Sequence, residues 1–91
     1  MTINSMRILV DSASQLWQRL ATYGMADLLD TSSEDDACLR TMIDLAALPQ
    51  IEALQLRRDY HRFYHLLHQI EALGYSKAVA LELVRTRACL N

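Results

Sequence analysis

Apolar positions recur at helical steps along most of the chain. Met6, Leu9, Val10, Ala13, Leu16, Trp17 and Leu20 fall three or four residues apart and share one face, with Arg7, Asp11, Ser14, Gln15, Gln18 and Thr22 opposite. The spacing predicts a helix over about residues 5–23. Asn4 or Ser5 can cap its start by accepting a bond from a free backbone N–H, and Gly24 stops it. Residues 25–30, Met-Ala-Asp-Leu-Leu-Asp, can form a short further turn or extend the first helix; the pattern leaves both open.

Thr31-Ser32-Ser33-Glu34-Asp35-Asp36 reads as a turn and a helix start. Ser32 or Ser33 would cap it, and the three acids would sit in the first turn, where the helix dipole favours negative charge. A calcium loop would need alternating oxygen ligands and a glycine at set positions, which are absent from this stretch. The second helix then runs over about 33–47 with Leu39, Met42, Ile43 and Ala46 inward. Pro49 breaks it and suits the start of another.

The third helix is long, about residues 50–73. Leu56, Tyr60, Phe63, Leu67 and Ile70 form its inner face, flanked by Leu66 and Leu73, and Gly74 closes it as a left-handed cap. Ser76 caps a fourth helix over about 77–89, with Val79, Ala80, Leu83, Val84 and Leu90 assigned inward. Strand-like alternation, low-complexity runs and repeats of 20–50 residues are absent from the sequence. The short connections favour antiparallel neighbours. The expectation is an all-α, compact antiparallel bundle of about four helices, with residues 1–91 forming a single domain.

Composition adds one consideration. The 91 residues are 52% hydrophobic with only two Gly and one Pro. Small domains leave much of their surface exposed, so a partner or a second copy is expected to cover part of this apolar excess. The longest wholly apolar run near the N-terminus, Ile8-Leu9-Val10, is too short for a signal core or a membrane span. A cytoplasmic location is therefore expected. Cys38 and Cys89 belong to no CxxC or metal motif, and the expectation for both is a free, half-buried thiol.

The net charge of −2 disfavours a non-specific polyanion binder. Its distribution is uneven: residues 1–48 hold three Arg and seven acids, net −4, and residues 49–91 hold six Lys/Arg and four acids, net +2. Such halves can pair within one bundle or between copies.

All three histidines lie on the third helix, within Tyr60-His61-Arg62-Phe63-Tyr64-His65-Leu66-Leu67-His68, in a narrow arc opposite the Phe63/Ile70 face. They should be exposed in a monomer. His61 and His65, four residues apart, have the spacing of a shared Zn²⁺ site, and His65/His68 and His68/Glu71 can also meet. One straight helix cannot wrap all of them round one ion, because His61 and His68 are about 10 Å apart along the axis. Any metal site on His61, His65 and His68 would draw on Asp35, Asp36, Asp44, a cysteine or another copy. The same face is basic, with Arg57, Arg58 and Arg62 beside the histidines and Tyr60 and Tyr64 flanking it. Imidazole changes charge near physiological pH, so the charge of this face would depend on pH.

Enzyme chemistry is not expected: the chain has no Gly-rich phosphate loop and no nucleophile elbow. No cofactor is implied. The leading expectation is a helical protein-interaction module of adaptor, regulator or co-chaperone type. It would bind another protein or itself through Arg58, His61, Arg62, His65 and His68, with Tyr75 in the C-terminal hairpin. A metal-linked helical assembly on the histidine line is one alternative, and a nucleic-acid-binding regulator is another. Nucleic acid is the less favoured partner, since no helix is dense in Arg, Asn and Gln.

Residues 66–86, with Leu73-Gly74-Tyr75-Ser76, Ala78 and Ala80-Leu81, resemble the helix–loop–helix segment of UBA-like domains and of the third domain of RuvA, the Holliday-junction protein. In those families the Leu-Gly-Phe/Tyr loop and adjoining helix faces bind proteins. The resemblance implies a contact surface at Leu73, Gly74 and Tyr75. It covers under a quarter of the chain, and this sequence lacks the family's third helix after the second.

Overall fold

The alternation of inward apolar and outward polar positions builds the helices that the period predicts. A computed structural model describes residues 3–25, 39–41, 43–44 and 47–90. Three helices are bounded within them: α1 (Ile3–Thr22), α2 (Gln50–Glu71) and α3 (Lys77–Leu90). Residues 39–41 and 43–44 are also helical, so the predicted second helix is present there. At its predicted end Ala47 lies in a turn with a φ of 52°, not in helix. The caps Ser32 and Ser33, the acids Glu34 to Asp36, and Met42 and Ala46 lie outside the described residues. So does the undecided stretch 26–30. No strand occurs among the described residues, and the protein is an all-α bundle.

α1 begins at Ile3, earlier than its apolar stripe, so positions 4 and 5, the two expected caps, both lie inside the first turn. It ends as expected. Gly24 takes a φ of 79°, and the carbonyl of Leu20 accepts bonds from the N–H groups of Tyr23 (3.1 Å) and Met25 (3.3 Å). At the other connection α2 stops at Glu71, two residues before the predicted end. Leu73 N–H donates to Ile70 at 3.0 Å and Gly74 N–H to Glu71 at 2.9 Å, and Gly74 sits at φ 108°. The Ser76 hydroxyl then accepts the N–H of Val79 at 3.2 Å, which is the predicted cap of α3. Pro49 precedes α2, and Ala47 just before it holds a φ of 52°, a left-handed conformation that costs an alanine about 1–2 kcal/mol.

α1 packs on both α2 and α3, and these two also meet each other. Ser5, Ile8 and Leu9 share a cleft with Gln69 and Ala72, while Arg19 meets Asp59, so α1 and α2 run antiparallel. The turn at 72–76 reverses the chain again and brings α3 back along α1. There Arg87 pairs with Asp11 (2.8 Å), and the Gln18 amide donates to the carbonyl of Ala88 (2.8 Å). α2 is the longest of the three bounded helices, about 33 Å at 1.5 Å per residue.

The core centres on α2. Leu56, Tyr60, Phe63, Leu67 and Ile70 are buried against Ala13, Leu16 and Leu20 of α1 and Ala80 and Val84 of α3, with Leu39 and Ile43 closing it. Tyr64 is fully buried too, its ring 5.0 Å from Tyr60 and edge-on to Phe63 at 5.4 Å. Trp17 is only half-buried at the margin of the core. Its indole N–H is enclosed without an acceptor among the described residues.

Four assignments of face change, one of them Leu83 of α3, expected inward and only half-buried. Ser14, expected on the polar side of α1, is buried, and its hydroxyl donates to the Asp11 carbonyl at 2.8 Å, which satisfies the group locally. On α3, Val79 and Leu90 point outward, 46% and 74% exposed, while Leu81 and Ala88 are buried in their place. The inward arc of α3 is rotated relative to the one drawn from its larger side chains, because close packing on α1 and α2 selects the small residues Ala80 and Ala88. Asp59 is a buried acid on the inner side of α2. The guanidinium of Arg19 donates to its Oδ1 at 2.8 Å and Gln55 Nε2 donates at 3.3 Å.

Candidate functional site

The inner face of α2 is committed to the core, and this fixes what its outer face presents. Arg57, Arg58, His61, Arg62, His65 and His68 are all exposed. At 100° per residue Arg58, His61, Arg62 and His65 fall within about one third of the helix circumference. Arg58, Arg62 and His65 form no salt bridge among the described residues, whereas His68 Nδ1 lies 2.7 Å from a carboxylate oxygen of Glu71. Tyr60 and Tyr64 do not flank this face as expected. Both are fully buried, because the arc that runs beneath the histidines is already the core-facing side.

The face extends further than the basic residues. Ile51 and Leu54, in the first turns of α2, are 78% and 52% exposed. Ile51, Leu54, Arg58, His61, His65 and His68 follow one another at steps of three, four, three, four and three, which makes one slowly winding stripe along the helix. The outer face of α2 is therefore two large aliphatic side chains continued by a line of cationic and imidazole groups. Ile51 and Leu54 were missed as site residues, although their spacing from the histidines was visible in the sequence. Beside this line, Leu39 and Arg40 close with Arg57 and His61 round a small cavity of about 90 Å³, so a basic residue from the acidic half joins the same region.

Tyr75 is exposed, but it lies beyond the C-terminal end of α2. Arg58 is about 20 Å from that end along the axis, so Tyr75 is remote from the arginines and near only the His68 end of the line. Leu73, before it, is half-buried. Cys89 is a free thiol, exposed where a half-buried one was expected; Cys38 lies outside the described residues.

Among the described residues no three His, Cys, Asp or Glu side chains gather closely enough to hold one ion. Asp44 is exposed, and the other carboxylates considered as ligands, Asp35 and Asp36, lie outside the described residues. No described helix is long and apolar enough to cross a membrane. No family model matches the chain, and neither does any curated protein or solved structure.

Proposed function

We propose that this protein is a small helical protein-interaction module that binds an acidic, amphipathic segment of a partner protein along the outer face of α2. The observation that carries this reading is the continuity of exposed Ile51 and Leu54 with Arg58, His61, Arg62 and His65 on one rigid helix. Burial of apolar surface is the main driving force of most protein association, and charges beside it set register and encounter rate. A single aliphatic residue exposed in isolation would need no explanation, but two in line with arginines that form no salt bridge among the described residues make an anchor with a charged border. A helical partner with apolar residues at three- and four-residue spacing and acids on its flanks fits this surface. The exposed Tyr75 would offer a second, separate contact.

The test is site-specific photo-crosslinking in the host cell. A photoreactive residue replaces Leu54 or His65 in turn, and Gln15, exposed on α1, serves as the control position. The proposal expects one discrete adduct from positions 54 and 65, lost when Arg58→Glu and Arg62→Glu are added, and none from position 15. Adducts that are equally abundant at position 15, or that ignore the charge reversal, would overturn it.

A further inference from the structure

α3 is apolar on two sides, and only one of them is used by the bundle. Ala80, Leu81, Val84 and Ala88 face the core. On nearly the opposite side Val79, Leu83, Thr86 and Leu90 follow at steps of four, three and four residues, the spacing of a two-stranded coiled-coil seam. Val79 and Leu90 are exposed and Leu83 is half-buried. These residues line a groove of about 380 Å³, and Val10 of α1 completes its wall.

We infer that this groove seats the same groove of a second copy of the chain, with the two α3 helices parallel. The occupant is identified by charge. Glu82 and Arg87 flank the seam on opposite sides, five residues apart. In a parallel pair the position of Glu82 faces the position five residues later on the other helix, so each Glu82 meets the partner's Arg87 and symmetry makes two such pairs. In an antiparallel pair like flanks meet, so Glu82 and the partner's Arg87 lie on opposite sides of the seam and cannot pair. The face is thus complementary to itself in one orientation only.

Both groups already have neighbours: Glu82 pairs with Arg85, and Arg87 with Asp11 at 2.8 Å. All four are surface side chains, and such pairs are weak enough to exchange or to be shared. A seam of two heptads would not hold free peptides together. Here α3 is already ordered by its inner face, and Val10 adds apolar surface beside the seam. The contact uses a different face from that proposed on α2, so either can fail without the other.

Sedimentation equilibrium of the untagged protein, from about 10 μM to about 1 mM, tests the inference, with circular dichroism confirming that each variant is folded. A monomer–dimer equilibrium is expected. Leu90→Glu should weaken it at least about tenfold, and Glu82→Arg or Arg87→Glu alone by about three- to tenfold. The two charge changes combined should restore it to within about threefold of the original. In a Cys38→Ser, Cys89→Ser background, Val79→Cys and Thr86→Cys should each give a disulfide-linked dimer under mild oxidation. A chain that stays monomeric throughout, a dimer indifferent to Leu90→Glu, or a charge swap that fails to restore association would each overturn the inference.

Discussion

Asp59 is the most consequential polar residue of the bundle, and replacing it should loosen α1 from α2. Its carboxylate is buried, with Arg19 of α1 at 2.8 Å and Gln55, one turn earlier on α2, at 3.3 Å. A hydrogen bond to a charged group contributes about 1.5–3 kcal/mol net. The Arg19 side chain is half-exposed, so water competes for it and the low end applies. Asp59→Asn should therefore destabilise the protein by about 1–2 kcal/mol. Arg19→Met keeps the aliphatic stem but leaves the buried carboxylate with only the longer Gln55 bond, at a cost of about 1–3 kcal/mol. The double mutant should be less destabilised than the sum of the two, with a coupling near ~1 kcal/mol. The assay is urea unfolding followed by circular dichroism and by the fluorescence of Trp17, the one tryptophan of the sequence. With a slope of about 1 kcal/mol/M, Asp59→Asn would lower the midpoint by about 1–2 M. A coupling below about 0.3 kcal/mol would refute the reasoning, since each residue would then act without the other.

Three further substitutions probe the backbone. Gly74→Ala places a Cβ at φ 108° in open space, so only the backbone penalty acts; a loss of about 1–2 kcal/mol in the same unfolding assay is expected. Ser76→Ala removes the acceptor for the Val79 N–H and should cost about 1 kcal/mol, recovered in part by Ser76→Asp. Ala47→Gly relieves the positive φ before Pro49, and its entropic cost offsets part of the gain, so thermal unfolding should show stability unchanged or raised by up to about 1 kcal/mol.

The inner face of α2 could be read from the sequence because its large residues, Leu56 to Ile70, keep a helical period over about four turns. Gly24, Gly74 and Ser76 were legible for a different reason, since each does a job that few residues can do. α3 was not legible in the same way. Its apolar residues cover two faces, and period alone could not say whether Val79 and Leu83 or Ala80 and Ala88 would meet α1. The burial of Asp59 depends on Arg19, forty residues away, and no local pattern carries that pairing. On the candidate site, the exposure of Arg58, His61, Arg62, His65 and His68 followed from the core face of the same helix. Tyr64 was misplaced because at the edge of an arc one side chain can turn either way. Ile51 and Leu54 precede the inner arc that begins at Leu56, and the same period places them on the side of Arg58 and His61, so their exposure was legible although they were not singled out.

The claim that the outer face of α2 is a docking surface is tested most directly by calorimetric titration of the crosslinked partner, once purified, against wild-type protein and the Ile51→Glu and Arg58→Glu variants. Both side chains are exposed, so both variants should fold normally. The account predicts that each loses about 2 kcal/mol of binding or more, roughly thirtyfold in Kd. Unchanged affinity in both variants would contradict it.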